Sequence, residues 1–163
     1  MTDFIAHEPN SKKYFRKWYG AREFINNEPR YCLLLKDCLP NELKRMPLVY
    51  RRVKAVRDFR LASKSAGTRK LADKPTRFHV ENFPTGNYLA IPKTSSEKRF
   101  YIPIGFLNDS VICADSLRLV SNATLYHFGI LTSSIHMTWM RTVGGRLKSD
   151  YSYSNNIVYN NFV

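Results

Sequence analysis

The chain has 163 residues, 44% of them hydrophobic and 13% aromatic, enough for a folded domain with its own core, which excludes a disordered tail. Twenty-six Lys and Arg against thirteen Asp and Glu leave a net charge of +13, an excess that points to a polyanionic partner: DNA, RNA or an anionic membrane. Membrane is the weakest of these, because no apolar run reaches the ~20 residues of a spanning helix and "MTDFIAHEPNSKK" places an acid and a histidine where a signal peptide has its apolar core.

Residues 10–19, "NSKKYFRKWY", carry basic and aromatic side chains at helical spacing. "GAREFINNEPR" (20–30) reads as a turn and short connection leading into a buried strand, "YCLLL" (31–35). Pro40 and Asn41 open a helix to about Ser63, kinked or divided at Pro47. Its apolar stripe is Val49, Val53, Val56 and Phe59, with Arg52 and Arg60 flanking the stripe and Arg51, Lys54, Arg57 and Lys64 pointing elsewhere. A basic loop punctuated by Gly and Pro, "KSAGTRKLADKPTRF" (64–78), follows. Short strands are then predicted at 77–82, 88–92, 99–105, 110–115, 117–120 and 124–130, separated by turn residues. A helix over 133–143 has Ser133 as its N-cap. After Gly144 and Gly145 the sequence alternates as one strand: Leu147, Ser149, Tyr151 and Tyr153 on one side, Lys148, Asp150, Ser152 and Ser154 on the other. The pattern predicts a single α+β domain over 1–163, with basic helices at the N-terminal end, a mostly antiparallel or mixed sheet and one late helix.

The three cysteines, Cys32, Cys38 and Cys113, have neither disulfide nor zinc-site spacing and read as reduced, mostly buried thiols of a cytoplasmic protein. No metal is expected. Between Pro40 and Val80 there are twelve Lys and Arg but only Glu42, Asp58 and Asp73, so this one stretch supplies nine of the thirteen net charges. The acids that would neutralise a solvated helix face at i±4 are mostly missing. Arg51, Arg52, Lys54, Arg57, Arg60, Lys64, Arg69, Lys70 and Lys74, with Ser63, Ser65 and Thr68 among them, have the makeup of a phosphate clamp.

The residues that could carry catalysis do not assemble. Ser134 and His136 lie close together on a predicted helix and cannot stack as nucleophile and base; His136 reads as a packing residue. His79 and His127 lack a carboxylate partner in the pattern. Glu97, Lys98 and Arg99 resemble an E-x-K nuclease fragment, yet no P-D pair precedes them. There is no Gly-rich phosphate loop and no tetrapeptide of the amino-methylating enzymes. The residues describe a reader rather than a catalyst.

"GAREFIN" (20–26), "RVKAVRDFRLASKSAGTRKLADKPTRFHVENFPTGNYLAIPKTSSEKRFYIPIGFL" (52–107), "NATLYHFGILTSSIHMTWMR" (122–141) and "GRLKSDYSYSNNIVYNNF" (145–162) resemble the target recognition domain of the MmeI-like enzymes, bacterial type II (IIL/IIG) restriction–modification proteins. The resemblance runs from about Phe15 onward. It implies a longer parent chain with a nuclease, a helical linker, an adenine-N6 methyltransferase using S-adenosylmethionine, this domain and a C-terminal helical segment. The expected partners are double-stranded DNA and the methyltransferase and helical segments of the parent. S-adenosylmethionine, and Mg2+ where a nuclease is present, would belong to the parent and not to this chain. The resemblance further implies that side chains working in pairs each read one base pair: Lys93 with Asp115, Lys148 with Asp150, and Ser116 with Ser152. The physical reading agrees for the charged pairs, because guanine offers two acceptors in the major groove and its cytosine offers a donor. The alternatives are a small intact enzyme, or a standalone RNA- or DNA-binding or restriction-inhibiting protein.

Overall fold

The computed structural model describes residues 1–81 and 83–162. In chain order the elements are α1 (Thr2–His7), a 3-10 turn, β1 (Phe15–Tyr19), α2 (Ala21–Asn26), β2 (Arg30–Leu33), α3 (Pro40–Lys44), α4 (Pro47–Leu61), α5 (Ala66–Lys70) and a second 3-10 turn. There follow β3 (Asn87–Pro92), β4 (Thr94–Ser95), β5 (Gly105–Asn108), β6 (Val111–Cys113), β7 (Leu117–Ser121), α6 (Leu125–Leu131), α7 (Ser134–Val143), β8 (Gly145–Leu147), β9 (Asp150–Ser152) and a π-turn. The class is α+β, as expected. The chain forms two compact units, one from Met1–Arg16 with Tyr31–Asn82, the other from Lys17–Arg30 with Phe83–Val163.

The first unit packs around Tyr14, Leu35, Met46, Val49 and Val53. Pro47 divides the expected long helix by occupying the first position of α4, where its missing N–H costs nothing. Met46 precedes it and has no capping side chain. The cap comes instead from Glu8, 5% exposed, whose carboxylate oxygens accept from the Leu48 and Val49 amides at 2.9 and 3.0 Å. A buried anion at the positive end of α4 is the arrangement in which a carboxylate is best compensated. Only half of the expected apolar stripe is covered. Val49 and Val53 are buried, whereas Val56 borders a cleft of about 560 Å³ lined also by Phe4, Phe15 and Tyr31, and Phe59 is 75% exposed. The core ends before the last turns of the helix do.

In the second unit β3 is paired antiparallel on both sides, to β5 and to β7. Leu89 and Ile91 enter one core cluster with Met137, Met140, Tyr151 and Tyr153; Ala90 enters another with Tyr19, Val111 and Leu117. Burial on both faces explains why the strand reads as a continuous apolar run. β1 runs parallel to β6, with Lys17 opposite Val111. A third small sheet joins β4, β9 and β8. His136 is fully buried on α7, its Nε2 2.9 Å from the Tyr153 hydroxyl and its ring edge-on to Phe162, so the packing role expected for it holds.

Several expected elements take other forms. Residues 10–19 are a 3-10 turn and β1, not a helix, and 20–30 contains α2. β2 is half-exposed, and Leu35, the buried residue of that stretch, lies beyond its end. No strand forms over 77–81: the Phe78 amide bonds the Glu81 carboxylate, which also pairs with Arg77, and position 82 lies outside the described residues. At 99–105 Pro103 has no N–H for a ladder and the Ile102 amide donates to the Met137 sulfur, so the strand starts only at Gly105. Residues 124–130 form α6 rather than a strand, making two late helices instead of one. The Thr124 amide and hydroxyl both meet His127 Nδ1, a reciprocal cap, and Phe128 and Leu131 pack at helical spacing on the core while Leu125 and Tyr126 stay exposed. The cysteines are free but half-buried.

Two measurements check these supports. Glu8→Ala orphans one buried and one half-buried amide and is expected to cost about 2–3 kcal/mol in urea unfolding, with Glu8→Gln losing less. Burial lowers the His136 pKa below its ordinary 6.5, so the unfolded chain takes up the proton more readily. The stability from neutral His136 is therefore complete above about pH 6.5 and is lost progressively as pH falls below it. Thermal melts from pH 7.5 to 5 should show this decline, and His136→Gln should flatten it.

Candidate nucleic-acid interface

The main chain of Lys93 is a junction. Just past β3, its N–H donates to the Ser116 carbonyl at 2.9 Å and its carbonyl accepts from the Tyr153 N–H at 2.8 Å. The next residue, Thr94, pairs with Ser152 across β4 and β9. Three stretches far apart in sequence, around 93, 115–116 and 150–153, thus come together by backbone bonds in the second unit. On β9 the alternation holds: Tyr151 and Tyr153 point into the core, while Asp150 and Ser152 are half-exposed on the other side.

Lys93 Nζ lies 2.8 Å from Asp115 Oδ2; the Asp115 side chain is 99% exposed and that of Lys93 only 24%. The Lys93 hydrogen bond holds the Asp115 carboxyl below the usual carboxylate range, with a smaller contribution from Arg118. Asp115 is therefore a charged acceptor at neutral pH. An ammonium has three donors and a carboxylate two oxygens, so each partner keeps capacity for a ligand while their mutual bond persists. Ser116 is already engaged: its hydroxyl oxygen accepts from the Ala21 amide at 2.9 Å, standing in for the side-chain cap that Gly20 cannot supply to α2. Its hydroxyl proton remains available.

Lys148 is placed differently from the expectation. The 144–156 stretch is not one strand but a hairpin, with Gly145 opposite Ser152 and Leu147 opposite Asp150. Lys148 and Ser149 form its two-residue turn, Lys148 with φ of 56°, and Leu147 is 61% exposed rather than core-facing. The sequence concealed this because the turn has no Gly, Asn or Asp at the position that needs positive φ. Gly144 does have a positional reason: a Cβ there would collide with the Met140 carbonyl as the chain leaves α7.

The basic segment belongs to the first unit, and its cations divide into two sets. Arg60 spends its guanidinium on the carbonyls of Leu71, Lys74 and Arg77, at 2.8–2.9 Å. Arg69 donates to the Ser63 and Lys64 carbonyls. These two fold the 62–77 loop back onto α4. Arg51, Arg52, Lys54, Arg57, Lys64, Lys70 and Lys74 are exposed, and none forms an ion pair with a carboxylate among the described residues. Arg118, which the sequence reading passed over although it lies on the expected 117–120 strand three residues from Asp115, is half-buried with Nε unpartnered among the described residues. Among the described residues no group of three or more His, Cys, Asp or Glu could hold a metal, and no helix is long and apolar enough to cross a membrane.

This architecture has known counterparts. A solved structure of the type IIL restriction–modification enzyme MmeI in complex with DNA matches 99% of the chain at TM-score 0.94 and 46% identity, over 22% of that protein's chain. DNA methyltransferase A of Bacillus subtilis (strain 168) is 40% identical over 161 residues, 99% of this chain and 18% of its own length. The chain thus spans about a fifth of the relatives it matches. A family model described as the MmeI target recognition domain matches residues 1–163 throughout, and the chain belongs to that family of recognition, not catalytic, domains.

Proposed function

We propose that this chain reads the sequence of double-stranded DNA as the recognition module of a larger bacterial, cytoplasmic restriction–modification enzyme. The parent activity is adenine-N6 methylation with S-adenosylmethionine, accompanied by a Mg2+-dependent nuclease where one is fused. These cofactors and the chemistry belong to other segments of the parent, among them the methyltransferase and helical segments as partners, and no step is assigned to residues here. The observation that carries the reading is the pair of half-buried Lys93 and exposed Asp115, fixed by the Lys93 junction beside Ser116 and Ser152. A donor next to an acceptor suits one G·C pair, Lys93 donating to guanine O6 or N7 and Asp115 accepting from cytosine N4. Lys148 and Asp150 supply a second donor and acceptor at the hairpin. Ser116 and Ser152, with small two-way hydroxyls, read a third pair whose identity they do not specify. The exposed cations of α4 and its loop grip phosphates, which position the duplex without choosing a sequence.

Selection of the chain against a randomised duplex pool is expected to enrich a short motif with two fixed G·C pairs. Enrichment of RNA or single strands over duplex would overturn the reading. Exchanging Lys148→Glu with Asp150→Arg should move one guanine preference to cytosine, at ~1–3 kcal/mol of discrimination per contact. Unchanged specificity in that variant removes the pair from the reading set. Arg51, Lys54 and Arg57 changed singly to Ala should weaken binding to all sequences alike and each reduce the slope of log affinity against log salt by ~0.9, measured by titration at several salt concentrations.

A further inference from the structure

We infer that Arg146 is a positioning residue for Lys148 and Asp150, holding the hairpin tip in the one register that presents both; this rests on the DNA-reading proposed above. The tip has little intrinsic reason to adopt its shape. Lys148 sits at φ 56°, a region that costs a non-glycine residue ~1–2 kcal/mol, and the turn sequence Lys-Ser is not one that favours a two-residue hairpin. A slip by one residue would send every side chain of β9 to the opposite face, exchanging Asp150 and Ser152 for tyrosines.

Arg146 supplies the missing constraint from two directions. Its Nη1 donates to the carbonyl of Ser149, the second turn residue, at 3.1 Å. Its guanidinium carbon lies 4.1 Å from the centre of the Tyr151 ring, directly across the hairpin. Tyr151 is 8% exposed, part of the main core cluster, and paired on its other side with Ser95. The turn is thus fastened through one planar cation to a ring anchored in the core. Arg146 is itself exposed and has no carboxylate partner among the described residues, so charge alone would class it with the phosphate-binding cations. Its geometry commits it to the turn. A lysine would keep the charge but could not stack and donate from a flat fork at once.

The test uses the 163-residue chain with Arg146→Lys, read in two ways. Without DNA, amide hydrogen exchange at Leu147 and Asp150, the pair that flanks the turn, is expected to quicken by about tenfold, while Leu89, Ala90 and Ile91 on β3 keep their protection. Adding Lys148→Gly, which tolerates positive φ, should restore slow exchange at the tip. With DNA, selection from a randomised duplex pool is expected to lose several-fold discrimination at the base pair assigned to Lys148 and Asp150, with the pair assigned to Lys93 and Asp115 and the salt slope unchanged. Unchanged exchange at the tip overturns the inference, as does a loss of affinity spread evenly over all sequences, which would make Arg146 a direct phosphate contact. A wild-type chain that selects no sequence overturns the DNA-reading itself and this role with it. Unchanged exchange with specificity still transferable by the Lys148 and Asp150 exchange overturns only the role of Arg146.

Discussion

The two backbone bonds of Lys93 are what the rest of the site depends on. Through its N–H it holds the 115–116 turn and through its carbonyl the residue just past β9, so one residue fixes the spacing of three chain segments. Each is braced from behind. β3 leads into Lys93 from the centre of a sheet buried on both faces, Ser116 caps α2, and Tyr153 is tied to His136 on α7. The side chains that face outward therefore stand on main chain that cannot shift without breaking core packing. Recognition of a base edge needs positions held to a fraction of an ångström, and regular elements deliver this better than loops do.

The positive charge of the chain has more than one use. A cation whose donors end on backbone carbonyls, as in Arg60, Arg69 and Arg146, shapes the chain and is lost to a ligand to that extent. A cation without such partners, such as Lys54 or Lys70, costs self-repulsion in the free chain and is repaid only by an anion. Lys93 stands between these classes: its backbone is structural, its ammonium is held by Asp115, and two of its donors stay open. Net charge alone would have ranked all of them together.

Much of this was legible in the sequence where local chemistry and tertiary packing agreed. The division at Pro47, the Ser133 cap of α7, the strand over 88–92 and the alternation of Asp150, Tyr151, Ser152 and Tyr153 all read correctly, because proline, cap, continuous apolar run and period of two each act within a few residues. Several of the failures share a cause: packing on the core or a distant partner decided the outcome. "TLYHFGI" has the β-branched and aromatic content of a strand, yet its spacing suits a helix packed on the core once Thr124 and His127 cap it. The Ile102 amide is claimed by Met137, thirty-five residues away. Glu8 caps a helix forty residues later. The grouping of Lys93, Asp115, Ser116 and Ser152 came from family resemblance, and only the paired backbone bonds give it a physical basis.

The placement of the side chains proposed to read bases also decouples specificity from stability. Asp115 is almost wholly exposed and Lys148 sits on an exposed turn, so neither contributes much packing to the core. Exposed substitutions of that kind usually change stability by no more than ~0.5 kcal/mol, against ~1–3 kcal/mol of discrimination for each base contact. On the proposed reading, the recognised sequence can change by exchange of a few outward side chains while Leu89, Ile91, Tyr151 and Tyr153 keep the framework. Lys148 is the exception within this logic. Its positive φ makes the residue type at the tip a backbone matter as well as a chemical one, so exchanges there are limited to side chains that the hairpin can still hold in that conformation. A side chain presented from such a position needs a brace outside itself, and the arginine stacked across the hairpin is placed to be one.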